Sequence, residues 1–418
     1  MSSKEILVSI ALGETNHLVG RLWCHNRKGR ESASFEYDSS WLNHPERFAL
    51  EPALSLTPGA FHTQADQSLF GAIGDSAPDR WGRVLMRRAE GARAKEAGET
   101  PRTLREVDFL LGVNDETRQG ALRFSETLKG PFLSPKDKKA IPPLVDLPKL
   151  LSATERFLSH NEEAEDLKIL LATGSSLGGA RPKASVRDKN GSLAIAKFPH
   201  KDDEYNMVVW EAVALVLAEK AGIHVPSWRL DTFLDKPILI LRRFDRYAQE
   251  RIPFLSAMSM LGAKDNEPHS YLEIVDALRQ HGAKPQSDMA ELWRRIIFSI
   301  LISNTDDHLR NHGFVYEREK GWKLSPCYDI NPTPVEIKPR ILTTMIDLYD
   351  GSASLELAIS VAKDFRLSKD QAKAIIKEVS QSVSQWQKVA QGFGLAKQEI
   401  NRMSSAFVHD EAKNAEKL

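Results

Sequence analysis

Cysteine is scarce: Cys24 and Cys327 are the two in 418 residues, which excludes a disulfide framework and a multi-cysteine zinc site and suits the reducing cytosol. An excess of one charge is missing as well. Lys plus Arg number 57, as do Asp plus Glu, so no global basic field points to nucleic acid, and any such surface must be a local patch. Long apolar runs are absent; the apolar-rich stretches break off within about ten residues, well short of the ~20 that span a bilayer. The opening MSSKEILVSIALGETNH lacks a long apolar h-region and a small-residue cleavage site, so no signal peptide is expected. No internal repeat or low-complexity block stands out. What is there is a chain 41% hydrophobic and 27% charged, the profile of a soluble globular protein of roughly two or three domains, expected in the cytoplasm.

Alternation from Ile6 to Trp23 around a Gly20 turn, continued in Ser32 to Tyr37, predicts a short β-meander. Phe70 to Arg88 has helical spacing, with a helix start expected at Asp75, Ser76 and Pro78. Residues 126–145 carry four prolines and several lysines and read as a linker. Beyond them the spacing predicts a helix over Leu147–Ser159, a Gly-rich turn, and two strands, Lys183–Arg187 and Leu193–Lys197, joined at Asn190-Gly191. A helix over Met207–Ala221 stopping at Gly222 follows, then strands near Ser227–Phe233 and Pro237–Phe244. From Ser270 onward helical periodicity dominates, broken by one hairpin near 313–326.

Three places carry chemistry. The Gly-rich turn runs Gly174-Ser-Ser-Leu-Gly-Gly-Ala-Arg-Pro-Lys183, and Gly178 and Gly179 can turn successive N–H groups into an anion-binding concavity, with Ser175, Ser176 and Lys183 adding hydroxyls and charge. It matches neither common phosphate-loop pattern, and a simple glycine turn is the plain alternative. Lys197 sits in the apolar strand LAIAKF, where it can bind phosphates as the strand lysine of kinases does, with Glu211 as partner, or can merely protect a sheet edge. Third, Asp306 and Asn311 are spaced as the Asp and Asn of the kinase catalytic loop, and a hairpin then returns Asp329. Asn311 and Asp329 supply the oxygen ligands a hard cation prefers. A metal site of His308 with Asp306 and Asp307 is the alternative for that loop.

These residues, in the segments SSLGGARPK (175–183), AIAKFP (194–199), GIHVPS (222–227), LRRFDR (241–246), NTDDHLRN (304–311) and LSPCYDINP (324–332), resemble the HipA family of serine/threonine kinase toxins. FGAIGDSAPDRWGR (70–83) and RQGALRF (118–124) resemble the family's N-terminal region. The resemblance implies an α+β, bilobal protein-kinase-like fold, with a β-rich N-terminal lobe, an extra small N-terminal domain and a mostly helical C-terminal lobe. The expected division is 1–125 as N-terminal domain, 126–145 as linker, 146–245 as nucleotide-binding lobe and 246–418 as catalytic lobe. It also implies ATP and Mg²⁺ as cofactors, Asp306 as catalytic base, and Asn311 and Asp329 as metal ligands. Leu177, Gly178, Gly179, Ala180, Arg181, Lys183, Lys197, Arg242, Phe244 and His308 become the nucleotide contacts. Ser176, with Ser175 beside it, becomes the site of autophosphorylation, which would inactivate by repelling the nucleotide. The implied partners are a protein substrate of the translation machinery, a small helix-turn-helix antitoxin, and operator DNA reached through it. A small-molecule or lipid kinase would share the Asp/Asn/Asp trio, and a non-catalytic kinase-fold binding module is the reading from a different class.

Overall fold

The computed structural model describes residues 2–128, 130–133, 146–173, 179 and 181–418. The chain divides into two compact units, Met1–Asp202 with Asp231–Leu255, and Asp203–Leu230 with Ser256–Leu418. Most of the stretch expected as a linker lies outside the described residues.

In the first unit, β1 (Ser2–Leu12), β2 (Thr15–Arg27), β3 (Arg30–Tyr37), β4 (Ala60–His62) and β5 (Leu122–Ser125) form a sheet in the order β4-β3-β2-β1-β5. The alternation does build a meander, but Gly20 is not its turn. The chain reverses at Gly13, whose φ of +60° suits glycine, and Gly20 sits inside β2 opposite Tyr37. A Cβ there would stand 2.3 Å from Glu36 O and 2.6 Å from the Phe35 ring, so the glycine serves close approach, not reversal. Within the helical spacing of Phe70–Arg88, the long helix starts just past the Asp75, Ser76 and Pro78 that marked its start. A short turn, Gly71–Gly74, stops before Pro78, and the long helix, Arg80–Glu96, starts with Asp79 Oδ1 accepting from Gly82 N at 2.7 Å.

That helix packs on the second sheet of the same unit. β6 (Lys183–Arg187), β7 (Leu193–Lys197), β8 (Trp228–Phe233, its last three residues in this unit) and β9 (Lys236–Arg242) run in the order β6-β7-β9-β8. Trp81 and Leu85 share one core with Ala184, Val186, Ala196, Ile238 and Ile240, joined by Leu150 and Phe157 from the helix Leu147–Leu158. Burying an aromatic of this size contributes on the order of 2–3 kcal/mol. A further helix, Ala164–Thr173, precedes the Gly-rich turn where no helix was expected.

One buried carboxyl in this unit gives a pH test. Glu51 is 3% exposed and its Oε2 accepts from Ala72 N at 2.5 Å. Burial, against that N–H and with a smaller push from the Asp75 charge, lifts the Glu51 carboxyl to about 7. A raised acid binds its proton more tightly in the folded chain, so folding loses stability as pH climbs from the unfolded value of about 4.3 through 7. Glu51→Gln removes this penalty. The variant is expected to exceed wild type by on the order of 1–3 kcal/mol at pH 8 and to match it at pH 4. Denaturant melts at both pH values decide it; a pH-independent gap would remove the carboxyl as cause.

The second unit is mostly helical. Met207–Lys220 is apolar nearly all round and buried, as is most of Pro285–Ile302. The hairpin Gly313–Glu317 with Gly321–Leu324 pairs Phe314 with Leu324 and Tyr316 with Trp322; an irregular stretch over 325–354 follows, and helices run from Leu355–Val361 to Asp410–Glu416. No helix among the described residues is long and apolar enough to cross a membrane.

Candidate active site

In the second unit the helix Pro285–Ile302 ends at Ser303, whose left-handed φ of +55° turns the chain into Asn304-Thr305-Asp306-Asp307-His308. A single 3-10 turn, Leu309–Asn311, then brings Asn311 back onto the loop, where its Nδ2 donates to Asp306 O at 2.9 Å. With Nδ2 used there, Asn311 Oδ1 is the atom left for a cation. Asp306 itself is 74% exposed at the side chain.

Asp307 does the opposite work. It is 4% exposed, and its carboxylate accepts from Tyr271 Oη and from Ser299 Oγ at 3.3 Å. His312 Nε2 lies 2.8 Å from Asp307 Oδ1 without pointing its N–H along that line, so the contact acts as an ion pair only when the ring is protonated. Asp307 O accepts from Thr344 Oγ1 at 2.7 Å. The loop is thus pinned through Asp307 while Asp306 points outward. Asp307 is spent on this anchoring, and among the described residues no group of three or more His, Cys, Asp or Glu is disposed to hold a metal, so the alternative of a His308–Asp306–Asp307 metal site finds no support. His308 is half-buried, and its Nδ1 has no partner among the described residues.

After the hairpin, Ser325 N bonds Gly313 O at 2.8 Å and Tyr328 Oη bonds Arg310 O at 2.8 Å, tying the return strand to the loop's end. Asp329 follows, half-buried, with φ +58°. A left-handed aspartate is a stored backbone cost of the kind that gathers at functional sites. Asn311 Oδ1 and the Asp329 carboxylate are hard oxygen donors and fit a Mg²⁺ ion.

Downstream residues that sequence reading did not single out clamp the same loop. Lys338 Nζ and Thr343 Oγ1 both donate to Thr305 O, at 3.0 and 2.9 Å, and Arg340 donates to Ser303 Oγ and Ile300 O at 3.0 and 2.7 Å. No sequence motif marks them, apart from the two cations flanking Pro339.

In the first unit, Ser175, Ser176, Leu177, Gly178 and Ala180 lie outside the described residues. Gly179 has φ +94°, and its carbonyl receives Trp81 N at 3.4 Å. Arg181 is half-exposed. Lys183 begins β6 and is buried, 3.1 Å from Asp79 Oδ2, while its carbonyl receives Trp81 Nε1 at 3.1 Å. The N-terminal helix start therefore grips the chain on both sides of Arg181. Lys197, half-buried, is paired with Lys183 in register, and Arg242 closes β9 opposite Ala194 with its side chain exposed. Phe244, half-buried, packs near Phe254 with ring centres 6.1 Å apart. Between them Arg243 is fully buried, bonding Thr117 O and Arg118 O and pairing with Asp245. Glu211, a suggested partner of Lys197, is buried on Met207–Lys220 in the second unit.

Comparison with known proteins agrees with this layout. The model of the HipA-like C-terminal domain matches residues 175–386, and that of the HipA N-terminal domain matches residues 11–111. A Haemophilus influenzae protein named "Putative kinase" is 25% identical over 211 residues, 44% of this chain and 61% of that one. The serine/threonine-protein kinase CtkA of Helicobacter pylori is 26% identical over 164 residues, 36% of this chain and 50% of that one. The chain thus spans less than two thirds of the length of these curated relatives. In structure it is similar to HipA of Shewanella oneidensis, solved with HipB and operator DNA, with a TM-score of 0.63 at 14% identity over 98% of this chain and 96% of that one. Its α+β fold is accordingly kinase-like, and with the C-terminal match alone spanning half its length, the chain belongs to the HipA family.

Proposed function

We propose that the chain is an ATP- and Mg²⁺-dependent serine/threonine protein kinase that acts as a HipA-like toxin of a toxin-antitoxin module in the cytoplasm. The observation that carries this reading is the catalytic loop: Asp306 stands exposed on a segment pinned from below by Asp307 and from the side by Asn311. That is what a general base facing an incoming hydroxyl requires. In the step, the acceptor oxygen bonds the γ-phosphorus and passes its proton to the Asp306 carboxylate. The bond from that phosphorus to the bridging oxygen breaks, and ADP leaves with the electron pair. Asn311 and Asp329 hold the Mg²⁺, which when bound neutralises phosphate charge. Lys197, Lys183, Arg181, His308 and the loop 177–180 contact the nucleotide phosphates, and Arg242 and Phe244 contact the adenine.

Ser176, or Ser175 beside it, is the autophosphorylated residue. The protein substrate belongs to the translation machinery, and a small HipB-like antitoxin binds this chain and carries it to operator DNA. The relatives named as kinases support phosphoryl transfer, and the HipA–HipB–operator complex supports the antitoxin and the DNA as partners. Incubation with γ-labelled ATP and Mg²⁺, followed by mapping of the label, tests them. Label on Ser176 or Ser175 that disappears in the double alanine variant, with nucleotide binding kept, is the expected result. Wild type that neither incorporates label nor hydrolyses ATP would instead point to a non-catalytic binding module.

A further inference from the structure

The catalytic loop carries no lysine near Asp306; two residues on stands His308. A cation nevertheless reaches that carboxylate from downstream. Lys338 Nζ lies 3.6 Å from Asp306 Oδ1 and donates to Thr305 O at 3.0 Å, so one ammonium touches both the side chain of Asp306 and the carbonyl just before it. The two side chains are 41% and 74% exposed. An ion pair this open adds little to folding, which leaves its placement without a stability explanation. Its geometry, by contrast, is well held. Pro339 restricts the Lys338 backbone to extended conformations. Arg340, next along, is fastened to the end of the preceding helix through Ser303 Oγ and Ile300 O. The lysine stem therefore leaves a fixed point beside the loop.

We propose that Lys338 is a positioning residue for phosphoryl transfer, holding the Asp306 carboxylate in the rotamer that meets the acceptor hydroxyl. Without it an exposed carboxylate has free rotamers, and the base spends most of its time aimed elsewhere. The inference rests on Asp306 being the base, as read above, and goes beyond that reading in assigning its orientation to a residue outside the catalytic loop.

The experiment uses the full chain with γ-labelled ATP and Mg²⁺ and compares wild type with Lys338→Met, Lys338→Arg, Lys338→Ala and Asp306→Asn. Lys338→Met should lower kcat by about 10–100-fold while KM for ATP moves less than about two-fold, as expected for loss of alignment and not of binding. Its thermal midpoint should stay at the wild-type value. Lys338→Arg should keep most of the rate, and ethylamine added to Lys338→Ala should restore part of it. Lys338→Met at wild-type kcat, with Asp306→Asn inactive, overturns the positioning role and leaves the base intact. A lowered kcat that tracks a lowered midpoint and resists both rescues also overturns it, as mere structural damage. An active Asp306→Asn protein sinks the base and the positioning role together.

Discussion

Asp306→Asn is expected to reduce kcat for phosphate incorporation by about 10²–10⁴-fold, the range that a positioned proton acceptor supplies. The substitution keeps size and shape and changes only the ability to take a proton. Because the Asp306 side chain is 74% exposed, its loss should leave the thermal midpoint in place, and nucleotide affinity, carried by other residues, should change only a few-fold. Single-turnover incorporation and nucleotide titration read the two quantities apart. A variant keeping more than about a tenth of the rate removes Asp306 from the base role.

Asp245→Asn is expected to cost stability instead, about 3–5 kcal/mol. The Asp245 carboxylate is 2% exposed and accepts from Arg243 Nε at 2.8 Å, Arg246 Nη1 at 2.8 Å and Gly120 N at 2.7 Å. An amide can still serve Gly120 but leaves two buried guanidiniums without their counter-charge, and an uncompensated buried charge is the costly case. Burial alone would raise this carboxyl, but the Arg243 and Arg246 charges outweigh it and hold it well below the usual carboxylate range. For such a depressed group the stabilisation is complete above the unfolded value of about 4 and fades as pH falls below it. The variant should therefore differ most from wild type at neutral pH and converge on it in acid. Urea midpoints at pH 7 and pH 3 test this; an equal gap at both would exclude the charge as cause.

The path of the chain around Asp306 and Asn311 was legible because it is local, a single 3-10 turn closing five residues, and the hairpin after it pairs as the spacing predicts. Lys338 was not, because its bond to Thr305 crosses 33 residues and no pattern in between encodes it. Asp245 is farther still from Gly120, at 125 residues, so LRRFDR could be matched to a family without showing that its Arg and Asp are buried against a distant loop. The meander followed from alternation, yet Gly20 was misplaced since a glycine marks a turn and a close backbone approach alike. Within the helical spacing of 70–88, Asp75, Ser76 and Pro78 marked a start, and the helix begins just past the proline, at Arg80. The helix Ala164–Thr173 escaped because its apolar residues spread round the axis and give little stripe to find.

Trp81 is made early and used late. Its indole N–H bonds a carbonyl 102 residues further on, and its ring belongs to a core completed only when Ile238 and Ile240 arrive. During synthesis Trp81 and Leu85 on the helix Arg80–Glu96 must therefore wait first for Leu150 and Phe157, and then for the strands of the second sheet, to emerge. Folding of this unit is governed by distant closure and should be slow for its size. It should also melt as one body, so a shortened chain starting after residue 100 would expose the core face of its second sheet and aggregate instead of yielding a minimal folded fragment.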